Sequence, residues 1–245
     1  FLLSLNTHQE KSKYLKNLFD NIYINDILER QHIKEKSLLD NLLDVISSST
    51  GSLTNPKKIS DTFASKNRIK ITDDTVAKYL DYFTDAFLIS KAVRYDVKGR
   101  KYIGSPYKYY FTDIGLRNAR LNFRQNEENH IMENILYNEL CLRGFDVDIG
   151  VVQWNFKNQE GKSKKSNLEI DFIANDGSKK YYIQSAFSIG EEEKRLQEIR
   201  PYKLIQDSFK KIVVVKDNII PWHDENGILY VGIEKFLLDS TIIDY

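Results

Sequence analysis

Apolar residues in the first third of the chain recur three and four positions apart. In EKSKYLKNLFDNIYINDILERQHI, residues 10–33, Leu15, Leu18, Phe19, Ile22 and Tyr23 follow this spacing, and Ile27 and Leu28 extend it. Such a stripe lies along one side of a helix, so one or two helices are predicted here. A second stripe, Leu38, Leu39, Leu42, Leu43 and Ile46, predicts a helix over 36–48, ended by SSSTGSLTNP (47–56) with Gly51 and Pro56 as breakers. A short helix over 57–65 and the turn KNRIK follow. The pattern then returns over 73–86, with Val76, Tyr79, Leu80 and Phe83 as the buried face. Thr72 is the expected N-cap of that helix, and Asp73 and Asp74 suit its positive end.

Beyond residue 86 the pattern changes to strand-like runs. FLISKAVRYDV and RKYIG predict two strands around a Lys98-Gly99 turn. Three helices followed by a hairpin is the order of a winged helix-turn-helix. A new unit is expected to start near Asn126. Residues 127–143 predict a helix with Ile131, Ile135, Leu136 and Leu140 on one side, stopped by Gly144 in the left-handed conformation. FDVDIGVVQWNF, LEIDFIA, KYYIQSAFSI, KIVVVK and GILYVG read as strands. EEEKRLQEIRPYKLI and IEKFLLDS read as helices, and NQEGKSKKSN (158–167) as a polar loop. This order predicts an α/β sandwich around a mixed sheet.

Composition narrows the function classes. The chain is 41% hydrophobic and 29% charged with net charge +1, so no global charge draws it to nucleic acid or membrane. No apolar run approaches the roughly 18 residues of a membrane helix, and FLLSL is too short for a signal-peptide core. A membrane partner is therefore not expected. The single cysteine, Cys141, excludes a disulfide framework and a multi-cysteine zinc site. It is expected as a buried structural thiol in a reducing, cytoplasmic setting. His8, His32, His130 and His223 have no metal-ligand spacing. The chain starts at Phe1 and its one methionine is Met132, so a processed chain or a piece of a longer protein is expected.

The stretch LEIDFIANDGSKKYYIQSAFSI, 168–189, carries the candidate chemistry. Strand alternation predicts Leu168, Ile170, Phe172 and Ala174 on one face. Glu169, Asp171 and Ile173 fall on the other, with the two acids about 7 Å apart. On the returning strand Gln184, Ala186 and Ser188 share a face, and a hairpin brings Asp171 towards Gln184. Paired carboxylates and a backbone carbonyl are the donors a hard divalent cation takes. Such a cation polarises phosphate and activates water, and a nearby lysine stabilises charge on phosphorus.

Glu133 on the preceding helix, then LEIDF, then YYIQSAFS, resembles the PD-(D/E)XK nuclease fold. More narrowly, EKSKYLKNLFDNIYINDILER, TVAKYLDYFTDAFLISKAVRYDVKGRKYI, KYYFTDIGLRNA, ENILYNELCLRGFDV, LEIDFIA and YYIQSAFSI are similar to the C-terminal region of a large group of predicted bacterial and archaeal AAA+ ATPases. In that group an ATPase precedes a winged helix and a nuclease-like domain of unknown function. The resemblance implies a fold of class α/β (α+β), a winged helix-turn-helix followed by a PD-(D/E)XK-like sandwich with a central mixed sheet. It implies a helical connector to the ATPase over 1–34, the winged helix over 35–123 and a degenerate nuclease-like domain over 124–245. ATP and Mg²⁺ would belong to the ATPase, the natural partner of this region. No GxxxxGK phosphate loop occurs in these residues, so no cofactor is expected here.

Carried over by residue, Glu133 is the helix acid and Asp171 the strand acid, with Glu169 beside it. Gln184 holds the second acid position and Ala186 the lysine position. The last two depart from the pattern, removing a metal ligand and a stabilising cation. Lys194 on the next helix is a candidate migrated lysine. The site is therefore expected to be vestigial, without metal and without enzymatic activity.

Charge on the predicted winged helix is uneven. The helix over 72–86 carries Asp73, Asp74, Asp81 and Asp85 against Lys78, a net −3. The hairpin over 87–110 carries Lys91, Arg94, Lys98, Arg100, Lys101 and Lys108 against Asp96, a net +5, interleaved with Tyr95, Tyr102, Tyr107, Tyr109 and Tyr110. Any duplex DNA contact is expected through Arg94, Lys98, Arg100 and Lys101 on the backbone. The function this predicts is recognition of a protein or nucleic-acid partner. The alternatives are an active Mg²⁺-dependent nuclease and an oligomerisation module.

Overall fold

A computed structural model describes residues 2–33, 35–67, 69–125, 127–157 and 161–245. Arg68 of the KNRIK turn, the expected boundary at Asn126 and residues 158–160 of the polar loop lie outside them. The chain runs α1 (His8–Leu18), a π-helical stretch (Phe19–Ile24), α2 (Asn25–Arg30), α3 (Lys36–Ser48), α4 (Pro56–Thr62), α5 (Asp73–Asp85), β1 (Ile89–Asp96), β2 (Lys101–Phe111) and α6 (Ile114–Arg120). It continues with α7 (Glu128–Leu142), β3 (Asp146–Lys157), β4 (Ser163–Asp176), β5 (Lys179–Ala186), α8 (Glu192–Glu198), β6 (Lys210–Val215), β7 (Trp222–His223), β8 (Leu229–Gly232) and α9 (Ile233–Leu238). The strands form one mixed eight-stranded sheet in the order β2-β1-β3-β4-β5-β6-β8-β7. The chain divides into two compact units, residues 1–91 with 106–127, and residues 92–105 with 128–245. No helix among the described residues is long and apolar enough to cross a membrane.

In the first unit side-chain caps set the helix starts. Thr7 and Glu10 form a reciprocal capping box on α1, and Thr72 accepts from the Thr75 N–H at the start of α5. Pro56, expected as a breaker, instead opens α4, because Asn55 caps that helix and proline needs no N–H at the first position. Leu39, Leu42, Leu43 and Ile46 of α3 meet Ile59, Val76, Leu80 and Phe83 in one core. The pattern did not single out α6. Its interior holds Arg117, whose buried guanidinium donates to the carbonyls of Ser47 (2.9 Å) and Gln125 (3.0 Å). A buried cation inside a helix gives no apolar stripe to detect.

In the second unit β1 pairs in parallel with β3, from Arg94↔Ile149 to Asp96↔Val151. The expected separate two-stranded hairpin is therefore built into the larger sheet. β6, KKIVVV, lies between parallel partners β5 and β8 and is buried along most of its length, as a central parallel strand requires. β3 and β4 extend outward as a long antiparallel hairpin to Lys157↔Ser163. Residues 163–167, expected as loop, are thus strand. The buried residues of α7 are Met132, Asn134, Leu136, Tyr137 and Leu140, whereas Ile131 and Ile135 are only partly covered. The helix is rotated from the expected face because Tyr137 packs on Phe172, ring centroids 6.2 Å apart.

Candidate functional site

The acidic strand carries a bulge where the candidate chemistry lies. Asp148 pairs with Ile173 and Gly150 with Ile170, so Asp171 and Phe172 together oppose the single residue Ile149. Simple alternation therefore fails. Ile170 and Ile173 join the same apolar cluster, while Phe172 turns to Tyr137. Ile173 does not share a face with Asp171 as expected. A Cβ on Gly150 would lie 2.8 Å from the Ile170 Cβ and 3.2 Å from the Ile173 Cγ1, so only glycine fits beside the bulge.

The bulge decides what Asp171 does. Regular pairing of β4 with β5 runs from Asp176↔Lys179 to Phe172↔Ile183 and stops there. One residue beyond, the Asp171 carboxylate replaces the missing carbonyl, accepting from the Ser185 N–H at 2.8 Å. It is only 8% exposed, so this bond offsets the cost of burying both groups. Gln184 is equally buried, and its Nε2 donates to the Glu198 Oε2 of α8 at 3.1 Å. Burial pushes the Glu198 carboxyl above its ordinary pKa, opposed by the Gln184 hydrogen bond. The Gln184 Oε1 is buried without a partner.

Ala186 is 1% exposed, pairs with Val215, and belongs to the apolar cluster of Val152, Val213 and Ile199. Lys194 sits on the surface with its ammonium 3.2 Å from Glu191. Glu133 and Glu169 are half-buried, and both interact with neighbours. Among the described residues no group of three or more His, Cys, Asp or Glu side chains is placed to hold a metal ion. A divalent cation wants several free carboxylate oxygens. Here one Asp171 oxygen is taken by a backbone N–H and the next position offers an amide, so these residues do not fit one. Glu198 was not identified from the sequence, since EEEKRLQEIR reads as a surface helix. Nor was Tyr202, whose buried hydroxyl lies 3.0 Å from the Tyr182 carbonyl and 2.8 Å from that of Ile212.

The four basic positions of the hairpin differ in availability. Arg94 donates to the Ser105 carbonyl at 3.5 Å and its Nε is buried. Lys98 donates to the Gln153 carbonyl at 3.1 Å, and Arg100 and Lys101 are exposed. Arg100 adopts a left-handed φ of 51°, after a turn in which Asp96 accepts from the Gly99 N–H at 2.9 Å. Lys98 and Arg100 line a cleft of about 360 Å³ with Leu204, Ile205, Gln206 and Asp207. Lys108 does not add to a basic surface, being 4% exposed, and Tyr109 and Tyr110 are core residues. In α5, Asp73 is bonded by the Ser60 hydroxyl and Lys78 lies over the Tyr82 ring. Cys141 is exposed rather than buried, yet desolvation by the surrounding protein pushes the thiol pKa up, against the Tyr137 hydrogen bond, the opposite of an activated nucleophile.

Residues 2–127 match the family described as Domain of unknown function (DUF8612), and the chain belongs to that family. An uncharacterized protein of Haemophilus influenzae is 34% identical over 204 residues, covering 83% of this chain and 47% of its own length. The uncharacterized protein MJ1544 of Methanocaldococcus jannaschii is 32% identical over 234 residues, covering 94% of this chain and 47% of its own. The chain thus spans about half the length of these curated relatives. A crystal structure of protein VC1899 from Vibrio cholerae aligns over 96% of this chain and 55% of its own at 13% identity, with a TM-score of 0.27, too low to bear on the fold.

Proposed function

We infer that this chain is a non-catalytic recognition region, and that its nuclease-like site survives as structure. One observation carries the inference: the positions of the second acid and the lysine hold a buried amide bonded to Glu198 and a core alanine. With Asp171 bonded to the Ser185 N–H, neither metal binding nor charge stabilisation on phosphorus has its donors. The order α3, α4, α5, β1, β2 supports a winged-helix reading of the first half. The motif resemblance supports attachment to an AAA+ ATPase, which would supply ATP-driven switching while this region holds a partner.

Incubation with plasmid and single-stranded substrates in Mg²⁺ or Mn²⁺ tests the reading. No cutting above an Asp171→Ala control is expected. Metal-dependent cutting that the control abolishes would overturn it.

A further inference from the structure

At the outer end of the β3–β4 hairpin, Trp154 and Phe156 stack with ring centroids 4.5 Å apart and planes 22° apart. Both rings are only partly buried, and the Arg200 guanidinium lies over the indole at 5.3 Å. Register places Lys164 directly opposite Phe156 and Lys165 opposite Asn155, with Lys157 next along β3. Directly paired residues share a face, so Lys164 flanks the rings. The β1–β2 turn reaches the same strand, because Lys98 donates to the Gln153 carbonyl beside Trp154. Arg100 follows that turn and is exposed.

Some cations of the unit are paired with a carboxylate and others are not, here and elsewhere. Arg143, Lys179, Lys194, Lys216 and Lys235 each pair with a carboxylate. Arg100, Lys157, Lys164, Lys165 and Arg200 have no ion pair with any described carboxylate. Lys164 and Arg200 lie beside the stacked rings, while Lys157 and Lys165 stand with Asn155 on the other face of the hairpin, so a charge and a ring surface are left unmatched by any described carboxylate. A partner that complements both is anionic along its length and carries flat π-faces. Duplex DNA supplies the charge but keeps its bases stacked inside. Single-stranded nucleic acid supplies both at once.

We propose that the Trp154–Phe156 ledge binds single-stranded nucleic acid, an unpaired base stacking on the rings while Lys164 and Arg200 beside them contact flanking phosphates. This deepens the recognition reading above but does not need the acidic strand. Fluorescence anisotropy in EDTA compares a labelled poly-dT of about 20 nucleotides, enough to span one binding face, with a duplex of the same length and a glutamate-rich peptide. Poly-dT is expected to bind most tightly and to quench Trp154 emission in a Trp222→Phe background. Phe156→Ala should weaken it roughly 5- to 150-fold, the range of one lost base stack. Phe156→Leu, which keeps apolar bulk, should weaken it similarly while retaining the parent melting temperature. Lys164→Ala should lower the salt slope by about 0.7, one lost phosphate contact, and the Lys157→Ala, Lys165→Ala pair on the opposite face should lower it less.

Absence of poly-dT binding at low salt would overturn the proposal. So would duplex binding of equal strength that Phe156→Leu leaves unchanged, or peptide binding as tight as poly-dT. Because EDTA removes metal, metal-dependent cutting in the separate assay would sink the non-catalytic reading and leave this result standing.

Discussion

Strand β4 ends in two contrasting places. At its inner part Asp171, with Gln184 and Glu198 beside it, is drawn into the core, and each group is engaged by backbone or side chain. At its outer end Lys164 faces water beside Trp154 and Phe156, and Lys165 faces water on the other side of the hairpin, neither in an ion pair with a described carboxylate. Polar residues in the interior are there because neighbours satisfy them, and removing a partner costs stability. Unpaired cations on an exposed hairpin cost little to keep and contribute little to folding. On the proposed reading, the acidic residues serve as structure and the basic hairpin as the surface that meets a partner.

The largest effect should come from placing a lysine at position 186. Ala186→Lys places an ammonium among Val152, Val213 and Ile199, and a loss of about 3–5 kcal/mol is expected, measured by urea unfolding. A variant as stable as the parent would mean that the site is open to water after all. Gln184→Glu should cost about 1–3 kcal/mol at neutral pH, because two carboxylates would then face each other where an amide now donates. Its sign with pH is set by the raised pKa of the pair: stability is present while the carboxyls are protonated and is lost as pH rises through the folded-state values. Recovery on acidification, followed by thermal melts, checks this.

Glu198→Gln should have the smallest effect, and in the opposite direction. The Glu198 carboxyl is held above its ordinary 4.5 by burial, so ionising it opposes folding. Its contribution is full below 4.5 and disappears as pH climbs past the folded-state value. The amide variant should therefore melt higher than the parent at neutral pH and equal to it in acid. An amide at 198 can also donate to the orphaned Gln184 Oε1. A lower melting temperature at neutral pH would show that Glu198 is held ionised.

Much of the fold was legible in spacing. The stripes of α3 and α5 and the apolar run of β6 carry their periods openly, and Thr72 marks its helix start. Three features were hidden for identifiable reasons. The two-residue strand β7 is too short to show alternation. The bulge at Asp171–Phe172 breaks the period of two without any glycine or proline in β4, and its only trace is Gly150 on the neighbouring strand. The union of the β1–β2 hairpin with β3 is a long-range pairing that no local pattern encodes. At the candidate site the substitutions at 184 and 186 were visible in the sequence, but the bonds from Ser185 to Asp171 and from Gln184 to Glu198 needed the structure. Trp154 and Phe156 share a face of a strand the sequence already predicted, but Lys164 beside them appeared only once residues 163–167 proved to be strand rather than loop.

Comparing Asp171→Asn with Phe156→Leu in one binding experiment tests the contrast most directly. Poly-dT affinity is measured in EDTA at fixed salt, alongside the melting temperature of each variant. The expected result is a crossed pattern. Asp171→Asn should melt lower, having weakened the acceptor for the Ser185 N–H, and should bind poly-dT as the parent does. Phe156→Leu should melt as the parent does and bind roughly 5- to 150-fold more weakly. If Asp171→Asn abolishes binding while still folded, and Phe156→Leu leaves it intact, the acidic strand is the functional site and the hairpin ledge is not.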